Sequence, residues 1–99
     1  MQETQVYNFL IGSNNQTKKR EFKKAIEILK NHRVKGYTIF KDCLGIWDNE
    51  QERSFNIQII SNDFNPFNDS RAVSLKKELE QGLKQFLVLV TKTAQQILS

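Results

Sequence analysis

Apolar and polar residues alternate cleanly over residues 54–61: Phe55, Ile57 and Ile59 fall on one side, Ser54, Asn56 and Gln58 on the other. Successive strand side chains point to opposite faces, so the segment reads as a β-strand with one apolar and one wetter face. The preceding run, 37–47, carries Tyr37, Ile39, Phe40, Cys43, Leu44, Ile46 and Trp47. Its alternation slips at Lys41 and Asp42, and Gly45 interrupts it; a bulge or sharp bend accounts for both. The charged stretch 48–53 is expected to join the two strands as a hairpin connection.

An earlier strand is expected over 5–12, where Val6, Tyr7, Phe9, Leu10 and Ile11 form an almost continuous apolar run, as in a central strand covered on both sides. A polar turn follows. Thr17 then carries a hydroxyl suited to a helix cap, and Phe22, Ala25, Ile26 and Leu29 recur at helical spacing, which predicts a helix over 17–31. Residues 62–69, with Pro66 and two phenylalanines, read as a loop. A second helix is predicted over 70–84 with Val73, Leu75, Leu79 and Leu83 inward and Gly82 weakening its last turn. FLVLVT at 86–91 is the expected buried final strand, and the tail 92–99 is expected to dock as a short helix or pair with a neighbour.

The order is therefore βαββαβ, two βαβ units joined by a hairpin. Right-handed crossovers place the first and third strands centrally in a four-stranded antiparallel sheet, with both helices on one face. That is the α+β ferredoxin-like sandwich, expected as a single domain over 1–99. Its other face has no helices, yet the strands carry apolar residues on both sides. A second copy is the expected cover, hence a homo-oligomer.

Composition narrows the function. At 99 residues and 38% hydrophobic content the chain has material for one core. No apolar run approaches bilayer length, and the N-terminus lacks a basic start followed by a greasy stretch. The expectation is a soluble, cytoplasmic protein without a membrane partner, in the host cytoplasm if phage-encoded. The lone Cys43 cannot form an internal disulfide and reads as a small buried hydrophobe. One cysteine and one histidine, His32, fall short of a zinc set, so neither metal nor cofactor is expected.

The net charge of +4 is concentrated in Lys18, Lys19, Arg20, Lys23 and Lys24, followed by Lys30, His32, Arg33 and Lys35. Such a run is either a solvated helix face or an attractor of nucleic acid or a phosphate-bearing small molecule. The strand at 54–61 lacks the aromatic pattern of an RNA-recognition module, which disfavours nucleic acid. No phosphate-binding loop, dinucleotide fingerprint or nucleophile elbow is present, and Asp48, Glu50 and Glu52 read as acids solvating a turn. The chain is expected to be non-enzymatic, with no catalytic residue.

Binding candidates gather at three places. Ser13, Asn14 and Asn15 follow Gly12 at a strand-to-helix junction, where backbone N–H groups and short polar side chains form either an anion site, with Lys18 and Arg20 adding charge, or an ordinary capped turn. Trp47, beside the hairpin turn, offers a stacking face or an oligomer contact, and Gly45 lets a ligand or strand approach. Arg53 and Arg71 carry planar donors suited to phosphate or carboxylate.

This layout, with its glycine-interrupted second strand and FLVLVT-type last strand, resembles the PII and CutA-like group, although the 48–53 connection is much shorter than the long ligand-responsive loop of PII proteins. The stretches FLIGSNNQT (9–17), GYTIF (36–40) and GIWDNEQERSFNIQI (45–59) resemble small phage proteins that counter Thoeris defence by sequestering cyclic-nucleotide signals. That resemblance implies a homo-oligomer holding a nucleotide-derived messenger between subunits without cleaving it, with Ser13, Asn14, Asn15, Gly45, Trp47 and Arg53 as pocket residues. The alternative is a PII/CutA-like regulatory or structural oligomer whose sheet face binds a protein partner.

Overall fold

The computed structural model describes residues 2–13, 19–85 and 87–97. In chain order these form β1 (Gln2–Ile11), α1 (Phe22–Asn31), β2 (Thr38–Trp47), β3 (Glu50–Ser61), α2 (Asp69–Gly82) and β4 (Leu89–Ile97). The sheet order is β2-β3-β1-β4 with every neighbouring pair antiparallel, so β1 and β3 are central, as expected for the α+β ferredoxin-like sandwich.

Strand alternation builds the core. Tyr7, Phe9 and Ile11 of β1 and Phe55, Ile57 and Ile59 of β3 are buried together with Ala25 and Leu29 of α1 and Ala72, Leu75 and Leu79 of α2. Phe22 packs on Phe55 with ring centroids 4.8 Å apart, and Phe67 meets Tyr7 edge-on at 5.0 Å. Each such side chain contributes about 1.5–3 kcal/mol by leaving water.

The helices depart from the sequence reading in ways that charge and packing explain. Residues 19–21 lie outside α1, which begins at Phe22, and Thr17 lies outside the described residues. The first turn of α1 carries no acid to complement the positive end of the helix. Arg20 turns away instead, donating to the Lys41 carbonyl and pairing with the Asp42 carboxylate at 3.0 Å. The buried stripe of α1 is rotated from the expected one: Ile26 is exposed and Ile28 packs inward. A Cβ on Gly82 would lie 2.7 Å from Ile28 Cδ1, so Gly82 is where the two helices come together. In α2, Ala72 takes the inner position and Val73 faces out.

The strands also differ in extent. The β2–β3 connection is only Asp48 and Asn49, at φ 51° and 63°. Two consecutive left-handed residues make the tight turn that matches strand twist, and Asn and Asp tolerate that conformation. Residues 50–53 therefore belong to β3 and pair with 44–47. The expected irregularity in β2 is present as a register shift between Phe40 and Cys43. Cys43 itself is half-buried rather than in the core.

The final strand starts later than expected, at Leu89, and runs to Ile97, so residues 92–97 form no helix but extend the strand and pair with β1. Being at the sheet edge, β4 leaves Leu89 exposed, although Val88 just before it is fully buried. Phe86 lies outside the described residues.

Candidate functional site

The end of β1 is tied by side chains from both sides. The Gly12 N–H donates to Gln85 Oε1 at 3.0 Å, and Gln85 Nε2 donates back to the Ser13 carbonyl. On the other side, the Ser13 N–H donates to Glu52 Oε1 at 3.2 Å and Ser13 Oγ donates to the Arg53 carbonyl at 3.0 Å. Glu52 lies so close that a Cβ on Gly12 would sit 2.2 Å from Oε1, so a side chain there would displace the end of this exposed carboxylate. Gln85 is held in turn by the α2–β4 connection, where Glu80 accepts from Lys76 Nζ at 2.8 Å and from the Val88 N–H at 2.9 Å. Burial acts to raise the Glu80 carboxyl, but the Lys76 ammonium and the Val88 N–H outweigh it and hold its pKa below the ordinary value.

Beside this junction, Arg20, Asp42, Cys43, Leu44 and Arg53 line a shallow depression of about 280 Å³. Arg20 is held there by Asp42 and by the Phe22 ring, 5.2 Å from its guanidinium carbon. Gly45 lies opposite Glu52 in the β2–β3 ladder, and a Cβ there would be 3.4 Å from the Glu52 carbonyl oxygen. Trp47 closes β2 opposite Glu50; its side chain, like Asn14 and Asn15 entirely, lies outside the described residues. The fold thus gathers Ser13, Arg20, Gly45 and Arg53 at one end of the sheet.

Around the corner, the sheet face that carries no helix among the described residues holds a larger depression of about 540 Å³, its walls including Leu10, Phe40 and Leu89. At its floor Asn56 Nδ2 donates to Asn8 Oδ1 at 2.9 Å. An amide pair set among apolar side chains offers the remaining amide groups to whatever covers that face.

Arg71 does not join this group. It lies at the opposite end of β1, where its guanidinium donates to the carbonyls of Pro66 and His32 and covers the Phe67 ring at 5.1 Å. There it ties α2, the 62–68 loop and the end of α1 together. Near it, the Tyr7 hydroxyl donates to Asp69 Oδ1 at 2.7 Å, and Lys92 Nζ donates to both Asp69 oxygens at 3.0 Å. Burial, with the hydrogen bond to Asp69 and its negative charge, pushes the Tyr7 phenol up to about 12. The same hydrogen bonds from Tyr7 and Lys92 hold Asp69 below the usual carboxylate range.

Gln85 and Asn8 were not singled out by the sequence, and Glu52 was read only as one of three acids solvating a turn. Extending the 54–61 alternation back by one step would have placed Glu52 on the same face as Ser54 and Asn56. Gln85 carries no local signal, since it reaches Gly12 across 73 positions.

The chain has the ferredoxin-like architecture of the PII-like and CutA proteins, and comparison with solved structures agrees. CPII, a nitrogen regulatory PII-like protein from Thiomonas intermedia K12 bound to ADP, AMP and bicarbonate, matches with a TM-score of 0.61 at 14% identity, covering 98% of this chain and 94% of that one. A phage SAM lyase in complex with S-methyl-5′-thioadenosine matches with a TM-score of 0.66 at 18% identity, over 91% and 80% of the two chains. CutA1 from Oryza sativa matches at 0.62 and 10% identity, over 99% and 84%. At these identities the likeness establishes the fold. No protein-family model matches the sequence, and no curated protein matches it.

Proposed function

We propose that copies of this chain associate through the helix-free sheet face and bind a nucleotide-derived signalling molecule in the clefts where they meet, holding it without turnover. The observation that carries this reading is the pairing of an apolar, uncovered sheet face around Leu10, Phe40 and Leu89 with a polar junction at Ser13, Arg20 and Arg53 directly beside it. Apolar walls with a few convergent polar groups are the usual make-up of a small-molecule site. A ligand gripped between rigid sheets loses little further freedom of its host, which favours tight capture. Support also comes from the ligands of two proteins with this fold, ADP and AMP in one and S-methyl-5′-thioadenosine in the other, which are all adenine-bearing. The finer reading is sequestration of a cyclic-nucleotide messenger by a phage anti-defence protein.

Isothermal calorimetry against ADP, AMP, cyclic ADP-ribose isomers and cyclic di- and trinucleotides tests it. Saturable binding with Kd at or below about 1 μM, equivalent to about −8 kcal/mol, is expected for at least one of them. Absence of heat from every ligand removes the reading.

A second reading, catalysis on an adenosyl ligand, is favoured by one observation, the likeness to the phage SAM lyase. Incubation with S-adenosylmethionine followed by chromatography for S-methyl-5′-thioadenosine separates the two. Its appearance replaces capture by turnover.

A further inference from the structure

The donors at the end of β1 are already spent. The Gly12 N–H serves Gln85, the Ser13 hydroxyl serves the Arg53 carbonyl, and the Ser13 N–H serves the Glu52 carboxylate. The last of these brings an exposed carboxylate against the backbone, with its Oε1 over Gly12. Gly12 has no side chain where one would collide with Glu52 Oε1 and Cδ, at 2.2 and 2.8 Å. A negative group of the chain itself therefore sits where a bound phosphate would seek N–H groups.

Two consequences follow from elementary electrostatics. A phosphate approaching this point meets no unused donor among Gly12 and Ser13 and is repelled by a like charge. A hydroxyl-bearing group meets the opposite situation. An ionised carboxylate is acceptor-only with about four lone-pair sites, and Ser13 uses one of them. In a nucleotide the matching group is the ribose cis-diol, which carboxylates accept readily.

We infer that Glu52, resting on Gly12 and Ser13, is the specificity-determining residue of this junction: it accepts the ribose hydroxyls of the ligand and turns its phosphates away from this corner of the sheet. The inference rests on the binding reading above but concerns a charge preference that is measurable without any nucleotide.

The test uses the full chain, labelled with ¹⁵N, and follows the Ser13 backbone amide. In the wild-type protein, pyrophosphate up to about 10 mM is expected to leave that resonance in place. Glu52→Gln removes the charge and Glu52→Ala removes the carboxylate. In both, the Ser13 amide is expected to shift with pyrophosphate at an affinity at least about tenfold higher, about 1.4 kcal/mol. The spectra also report whether each variant is folded, and either variant alone suffices. An equal response in wild type and variants overturns the inference.

The companion measurement compares adenosine with 2′,3′-dideoxyadenosine. Wild-type protein is expected to lose at least about tenfold in affinity with the diol, and Glu52→Ala to be nearly indifferent to it. Equal binding of the two nucleosides to wild type overturns the ribose assignment. Should adenosine not bind at all, the ribose assignment falls, while the pyrophosphate series still decides whether Glu52 guards the junction.

Discussion

The two faces of one sheet have opposite fates. On the covered face Phe9, Ile11, Phe55, Ile57 and Ile59 have no exposed surface, whereas on the open face Leu10, Phe40, Ile60 and Leu89 remain 37–52% exposed. The central strands β1 and β3 supply both sets, and Leu10 and Ile60 differ from Phe9 and Ile59 by a single step in sequence. Alternation alone cannot distinguish a core from an interface; what separates them is that both crossover helices lie on one side. The covered face is finished within the chain, while the open face presents an apolar surface interrupted by the Asn8–Asn56 pair. A patch of that kind on a small domain is characteristic of association.

The largest effect that would break this contrast is expected on the covered face. Phe55→Ala should cost about 3–5 kcal/mol of unfolding free energy, since the site is walled by the sheet and Phe22 and cannot collapse. Phe40→Ala on the open face should stay within about 1 kcal/mol for the separated chain. Urea denaturation of both variants checks the pair, and equal losses would mean that Phe40 is also core.

The next effect is on association. Leu89→Lys should leave the fold intact, yet weaken self-association at least about tenfold, because a charge would have to be buried or repelled at the contact. Sedimentation velocity of wild type and variant reads it directly. A wild-type protein that sediments as an 11.6 kDa monomer would remove the open face as an interface.

The smallest effect concerns the polar exit of the covered face, where Tyr7 reaches Asp69. Tyr7→Phe should cost about 1 kcal/mol at neutral pH. The phenol is raised from 10.0 to about 12 in the folded chain, so its contribution is fully present below pH 10 and is lost as pH rises through about 12. At the acid end the signs reverse. Asp69 and Glu80 are both held below their ordinary values of 3.8 and 4.5, so they stabilise the fold above those values and that contribution fades as pH falls through the lowered ones. Denaturation midpoints between pH 2 and 12 check both limbs, and Asp69→Asn should flatten part of the acid one.

Much of the fold was legible because short-range patterns and topology rules sufficed. The alternation at 54–61, the helical spacing around Ala25 and Leu29, and the slip at Lys41 and Asp42 each survive as β3, α1 and the β2 bulge. Errors came where local sequence is permissive. The D-N turn was submerged in a run of charges, and Arg20, expected inside α1, lies before it and pairs with Asp42, 22 positions away. The site was legible only as scattered pieces. Ser13, Arg20, Gly45 and Arg53 do meet at one end of the sheet, while Arg71 is engaged with carbonyls at the other.

By itself, then, the sequence determined the order of elements, the central place of β1 and β3 and the apolar character of both sheet faces, because these follow from side-chain period and the handedness of crossovers. Only the tertiary structure decided that Glu52 would fill the space above Gly12 and that Gln85 would clasp the same two residues from the far side. Such contacts join positions 39 to 73 apart in the chain. They depend on strand register and loop path, which no local pattern encodes.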